Sequence, residues 1–515
     1  MGLKKFLKPN WKKIALTILL LLITGFMAFK LMSVGLLNTL IPVVMVLGFP
    51  LVLSFMFGGL GLIISLIVEI LWLYVVSCIS MKILIFIKNK LSLIRWDAKK
   101  IIVLGIIIIS GFLLYGFFNF GWSDVLISTA DDSGATVQGV NDIAKANNQF
   151  AIGLYSEINK ESNDNIFFSP WSISTAMAMA YEGACGDTAD EIQDVFHFPV
   201  DDSSRRSSFA KMLNTINKAG GKYKLHTANA LWLQKDYPFL KHYKNTVSKY
   251  YLGEIKNLDF VNNPTGSSSD INSWVSKNTN NKIKKIVSPD MFNELSRAVI
   301  TNAIYFKGKW EHQFDRDDTK PEDFTLESDE KIKVPTMKLT DEDLDFNYVE
   351  VDGVQILEMG YQGDKISMLV LLPRINMDYL ESILSEEKLQ EWRNKLKPET
   401  VYIYMPKYTF ETSYSLSDHL KSMGMNLPFT WPGADFSGMD GTDLLYIDKV
   451  LHKAYIDVYE EGTEAVAATA ISVGAGAAMP HYVEFRADHP FIFIIQERET
   501  GNILFMGKVT NPTQK

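Results

Sequence analysis

Residues able to do covalent or metal chemistry are sparse in this chain. Ser169, Ser172 and His452 supply the hydroxyl and imidazole that nucleophilic catalysis uses, with Asn302 as a further polar side chain. The eight histidines are scattered and HExxH is absent, so no metal site is expected. No glycine-rich phosphate loop precedes a helix, and no cofactor is expected. Cys78 and Cys185 are the two cysteines; Cys78 falls inside an apolar run, so no disulfide framework is expected. Cys185 reads as a small buried residue rather than a reactive thiol. Glu69 also lies within an apolar run, where an acid is a functional-site candidate. Pairing inside a bundle or a place at an interface would account for it equally. The more informative stretch is chemically inert: residues 460–481 read EEGTEAVAATAISVGAGAAMPH, and no charge follows Glu464 until Glu484. A surface loop is normally polar and rich in turn residues, and a core segment is normally bulkier.

The elements around these residues fall into two parts. Residues 1–121 are overwhelmingly apolar. Runs at 14–33, 36–56, 58–80 and 101–121 each approach the ~20 residues that a membrane-spanning helix needs. A cleaved signal peptide would explain one short run, not four. Lys4, Lys5, Lys8, Lys12 and Lys13 precede the first run; Lys82, Lys88, Lys90, Arg95, Lys99 and Lys100 precede the last. Both basic segments should be cytoplasmic, yet three spans between them would separate them. Either 14–81 crosses an even number of times or one segment breaks the rule. With the second segment cytoplasmic, the last span delivers the rest of the chain to the extracytoplasmic side, and membrane lipid is an expected partner. Residues 122–137, with Asp131, Asp132, Ser133 and Gly134, read as a linker; a coil of that length keeps its ends about 20–25 Å apart.

Residues 138–515 have a globular balance of charges, caps and turns. The net charge of −8 and the lack of a basic stripe in this part argue against a nucleic-acid partner. Residues 141–161 carry an apolar stripe at helical spacing through Ile143, Phe150, Leu154 and Ile158. Residues 165–192 give a short apolar strand, a Ser-Pro break and an Ala/Met helix ending near Gly183. Strand-like segments follow at 222–234, 298–310, 365–373, 400–412, 489–497 and 503–511. Helices first, then strands with interspersed helices, predict an α+β fold with large, mainly antiparallel sheets.

Four separated segments resemble the serpin family in order and without large gaps: NIFFSPWSISTAMAMAYEGACGDTADEI, NAIYFKGKWEHQF, LHKAYIDVYEEGTEAVAATA and ADHPFIFIIQERETGNILFMGKVTNP. The resemblance covers 138–515 and excludes the apolar part, which is atypical of the family. It implies an inhibitor of serine proteases, not an enzyme. An exposed reactive-centre loop is cut, the protease is held as a covalent complex, and the cut loop inserts into the main sheet. Residues 460–468 (Glu460, Glu461, Gly462, Thr463, Glu464, Ala465, Val466, Ala467, Ala468) match the hinge. Ser169, Ser172, Asn302 and His452 match the "shutter" beneath the opening sheet, where they would hydrogen-bond across strands rather than catalyse. Trp310 matches the "breach" where insertion begins.

Insertion makes a demand on the sequence, because alternate strand residues face the core. Thr463, Ala465, Ala467 and Thr469 would face inward and are small enough not to overpack; Gly462, Glu464, Val466 and Ala468 would face outward. A charge among the inward set would cost several kcal/mol. Gly462 permits an unusual backbone rotation, and no proline interrupts 462–479, so each amide can join a ladder. Family spacing from Glu460 puts the scissile bond at Gly476–Ala477; counting back from Phe485 gives Ala477–Ala478. The window Val473, Gly474, Ala475 to Ala478 is small or β-branched, so the resemblance implies an elastase-like or subtilisin-like target. Non-inhibitory members typically carry charged, bulky or proline residues in the hinge, and none stands at the inward positions Thr463, Ala465 and Ala467. A serpin-fold binding or sensing module on a membrane anchor remains the alternative.

Overall fold

The first helix, α1 (Val137–Asn159), buries Ile143, Phe150, Leu154 and Ile158 as its spacing predicts. It begins before residue 141 because the Thr136 side chain caps it, accepting from the Gly139 amide at 3.0 Å. This computed structural model describes residues 129–161, 163–217, 223–463 and 482–514. The chain divides into two units, Met1–Ile127 and Ser128–Lys515, and the described residues belong to the second. The apolar runs at 14–33, 36–56, 58–80 and 101–121, with Glu69 and Cys78, lie outside the described residues. Among those described, no helix is long and apolar enough to cross a membrane.

After α1 come β1 (Ile166–Phe168) and α2 (Pro170–Tyr181), which Ser169 caps with Pro170 in the first helical position. α2 is buried along most of its length, which is why it is built of apolar residues and small Ser, Thr and Ala with no charge. α3 (Gly186–Phe196) and α4 (Asp202–Asn217) lead to β2 (Tyr223–Gln234), α5 (Lys241–Tyr251), β3 (Glu254–Leu258), α6 (Pro264–Asn278) and β4 (Ala298–Lys309). Next are β5 (Lys320–Thr325), β6 (Lys331–Leu339), β7 (Asp345–Val351), β8 (Val354–Gly360), β9 (Ile366–Pro373), α7 (Met377–Ile383) and α8 (Glu386–Lys395). The chain continues through β10 (Lys397–Pro406), β11 (Tyr408–Ser415), α9 (Ser417–Ser422), α10 (Ser437–Asp440), β12 (Ile447–Tyr459) and β13 (Gly462–Thr463). It closes with β14 (Val483–Arg486), β15 (Phe491–Glu497) and β16 (Ile503–Val509).

Two sheets result. The larger runs β1-β16-β15-β9-β8-β7-β10-β6-β5, with β14 added to β10; the smaller runs β11-β12-β13-β4-β2-β3. The predicted strand 400–412 is in fact two. Pro406 ends β10, the Lys407 amide donates to Pro335 O, and β11 leaves for the other sheet; proline's missing donor breaks the ladder there.

The linker expected over 122–137 is tied down in its described half. The Ala130 amide donates to Asn214 Oδ1 at 3.0 Å while Asn214 Nδ2 donates to Ala130 O at 2.9 Å. The Asp131 amide donates to Lys249 O, its carboxylate pairs with the Lys249 ammonium, and Asp132 pairs with Lys211. Residues 130–132 thus lie against α4 and α5 rather than forming a free coil.

Candidate functional site

Most neighbours in the smaller sheet run antiparallel, but β4 and β12 run parallel from Ala298↔Ile447 to Tyr305↔Tyr455. Parallel pairing is slightly the weaker kind and the sheet could hold one more antiparallel strand between the two. A two-residue strand stands at one end of that seam. β13 sits between them, antiparallel to both: Thr463 faces Val458 on β12 and Gly308 on β4. Gly462 takes φ +141°, and a Cβ there would lie 2.1 Å from Gly308 O. Only glycine fits that turn of backbone at that distance.

Thr463 is 1% exposed and points into the core. Its hydroxyl meets the Tyr361 hydroxyl at 3.1 Å. Tyr361 in turn stacks on Trp310, with ring centroids 4.4 Å apart. Burial raises the Tyr361 phenol above its ordinary pKa, and the Thr463 hydrogen bond opposes that rise. Trp310 holds the entrance: its amide donates to Glu461 O at 2.9 Å and its indole N–H donates to Tyr459 O at 3.0 Å. The Phe314 amide donates to Glu460 O, so the chain before β13 is fastened on both sides.

Glu460 and Glu461 are buried, and each is held by a cation. Lys407 Nζ donates to Glu460 at 2.8 and 2.9 Å, and Thr319 Oγ1 donates to it at 2.8 Å. Burial pushes the Glu460 carboxyl up, but hydrogen bonds from Lys407, its own backbone and Thr319 outweigh it, so its pKa falls. Arg316 pairs with Glu461 at 2.6 Å.

Below this entrance the four predicted shutter residues meet in one buried cluster. The Ser169 amide donates to His452 Nε2 at 3.1 Å, and His452 Nδ1 bonds Asn302 Oδ1. With Nε2 accepting, the proton sits on Nδ1. Asn302 Nδ2 donates to Ser172 Oγ and Asn229 Oδ1, and Ser172 Oγ donates to Asn229 Oδ1 at 2.8 Å. Ser169 Oγ donates to Leu504 O at 2.6 Å. Neither serine hydroxyl faces the imidazole and the whole cluster is sealed from solvent, so the arrangement cannot work as a nucleophile and base. Its effect is to join α2, β2, β4 and β12. Burial lowers the His452 pKa to about 3.

Sequence reasoning missed Asn229, Tyr361, Lys407, Arg316 and Thr319. Asn229 stands directly across from Asn302 in the β2–β4 register, so a buried asparagine in each of two alternating apolar strands was the available signal. Cys185, expected to be buried, is half-buried and receives a weak hydrogen bond from Ser437. Hinge residues Glu464, Ala465, Val466, Ala467 and Ala468 lie outside the described residues. So do Thr469 and the cleavage window Val473, Gly474, Ala475, Gly476, Ala477 and Ala478.

Residues 145–512 match the model of the family described as "Serpin (serine protease inhibitor)". An uncharacterised serpin-like protein of Thermococcus kodakarensis is 43% identical over 374 residues, spanning 72% of this chain and 86% of that protein. The leukocyte elastase inhibitor of Equus caballus is 36% identical over 383 residues, spanning 72% of this chain and 99% of that protein. Among solved structures, Serpin48 of the insect Tenebrio molitor superposes with a TM-score of 0.64 at 32% identity, covering 72% of this chain and 98% of its own. A strand seated antiparallel between two parallel neighbours, the cluster beneath them and this likeness across the whole globular part lead to one assignment: the chain belongs to the serpin family.

Proposed function

We propose that this chain is a membrane-tethered inhibitor that traps serine proteases as covalent complexes by inserting its reactive loop into the smaller sheet. The observation that carries the reading is β13, a hinge already paired with both β4 and β12. Continuing its register is simple arithmetic. Thr469 would fall between His452 and Asn302 and face inward, where its hydroxyl can replace the bond those two side chains share across the seam. Val466 would fall between Tyr455 and Tyr305 on the outer face. Each inserted residue would convert a parallel pair into two antiparallel ones, and the inward side chains as far as Thr469 are small enough to enter without opening the core. Release of stored strain by loop insertion is a recognised switching mode.

In this reading a protease serine attacks the Gly476 carbonyl and expels the Ala477 amine. The acyl-enzyme is carried off as the new strand forms, before water can attack. The small residues at 473–478 suit a shallow primary pocket, hence an elastase-like or subtilisin-like protease; a trypsin-like one requires Arg or Lys, and neither is present. The runs at 14–33, 36–56, 58–80 and 101–121 supply the anchor, and the basic segment before the last run favours an extracytoplasmic inhibitor domain.

The test is incubation of the chain with elastase-like and subtilisin-like proteases. An SDS-resistant adduct and a cleaved form that withstands more heat than the intact form are expected. Cleavage with neither adduct nor added heat resistance would make the protein a binding or sensing module of the same fold.

A further inference from the structure

Insertion requires β4 and β12 to part, and the outer face of that seam is covered. After α6 the chain makes a tight reversal and then crosses both strands as a strap, residues 279–287. The reversal is closed by hydrogen bonds. Asn280 and Asn281 take φ +51° and +61°, the buried Thr279 hydroxyl donates to Val275 O, and the Ile283 amide donates back to it. Asn272 of α6 accepts from the Ile286 and Val287 amides. Ile283, Ile286 and Val287 pack in a second small core with Val299 and Ala303 of β4 and Leu451 of β12. Lys453 of β12 donates to Lys285 O at 3.1 Å.

Lys282 leaves this strap at the mouth of the seam. Its ammonium lies 5.7 Å from the centroid of the Tyr305 ring on β4 and 5.2 Å from that of Tyr455 on β12. The two rings are 6.3 Å apart and belong to the uppermost pair in the β4–β12 register. They stand below the point where β13 ends, so theirs is the first stretch of the seam that entry must open.

We infer that Lys282 is a latch, a positioning residue that joins β4 to β12 through the two tyrosine faces and sets how fast the loop enters. The inference rests on the proposed insertion. Seating one strand between the two would widen their spacing by about 4.8 Å, carrying the rings to roughly 11 Å apart with Val466 between them. The one place within ~6 Å of both rings is then the midpoint between them, about 5.5 Å from each, and Val466 would fill it, so a single ammonium can no longer face both. The latch therefore stabilises the closed sheet and is lost on the way to the open one. A closed sheet that yields too early favours self-insertion; one that yields too late favours release of the protease by water.

The experiment follows uptake of the free peptide EAVAATAISVGAG, the sequence of residues 464–476, by the intact protein and by Lys282→Met, which keeps the stem and removes the charge. The variant is expected to take up peptide on the order of three- to thirty-fold faster, Lys282→Arg to restore the parent rate, and Tyr455→Leu to act like Lys282→Met. Melting of the loop-cleaved form should be the same in parent and Lys282→Met, since the latch is already undone there. Uptake by Lys282→Met at the parent rate, or equal acceleration in Lys282→Arg, overturns the latch and leaves insertion standing. A parent protein that takes up no peptide and gains no heat resistance on cleavage overturns insertion itself, and the latch with it.

Discussion

Protonating His452 would set an imidazole N–H against the Ser169 amide, donor against donor, inside a sealed cluster. The native state therefore keeps this histidine neutral, with its pKa lowered to about 3 by burial, while the unfolded chain takes up the proton near 6.5. The sign follows from linkage: the stabilisation is fully present above pH 6.5 and is lost as pH falls from there toward 3, by up to about 1.4 kcal/mol per pH unit. Urea unfolding of the parent and of His452→Gln between pH 7 and 4 should show the parent losing stability more steeply; parallel slopes would remove His452 as the source. Gly462 offers a second residue-scale test. Gly462→Ala would drive a Cβ into Gly308 O, so it should expel β13, shift the Trp310 emission and cost about 1–3 kcal/mol. An unchanged emission spectrum would count against the seated hinge. Ser169, Ser172, Asn302, His452 and Trp310 could be singled out from the sequence because they stand inside the segments that carry the resemblance, and the first four meet in one hydrogen-bonded cluster. Asn229 and Tyr361 were not, because their roles come from register: one faces Asn302 across a strand pair, and the other reaches Trp310 and Thr463 from the far end of β8.

At the scale of elements, the proposed insertion would be decided at the two-residue β13. Thr463→Arg would place a guanidinium beside Trp310 and Tyr361, where an uncompensated charge costs several kcal/mol. The variant should fold with its hinge outside the sheet, be cut by the target protease and form no SDS-resistant adduct; adduct formation at the parent level would contradict the entry route. Alternation in the sequence identified β2, β4, β9, β15 and β16 to within a residue or two, since each is long and apolar. It merged β10 with β11, because apolar and polar residues keep alternating through Pro406 and Lys407 and only the ladder shows the change of sheet. That β4 and β12 are parallel neighbours could not be read from either strand, because pairing partners more than a hundred residues apart leave no mark on local periodicity. The strap over their seam was likewise invisible: its run of lysines and asparagines reads as an ordinary polar loop until Lys282 is seen above two rings.

For the whole molecule, the boundary between apolar and globular parts was plain from composition, while the place where the globular part begins was not. Residues 130–132 looked like linker by residue type, yet their backbone is gripped by Asn214 and Lys249. Asn214→Ala removes two buried hydrogen bonds to Ala130 and should lower stability by about 1–3 kcal/mol. A chain starting at Val137 should lose a similar amount, and the two changes combined should lose no more than the larger alone; full additivity would show that the segment is not held through Asn214. The same grip decides where mechanical load enters. A pull on the chain from its N-terminal side is borne first by α4 and α5, not by the first turn of α1, so tension would be shed at those two helices before it reached β4 and β12.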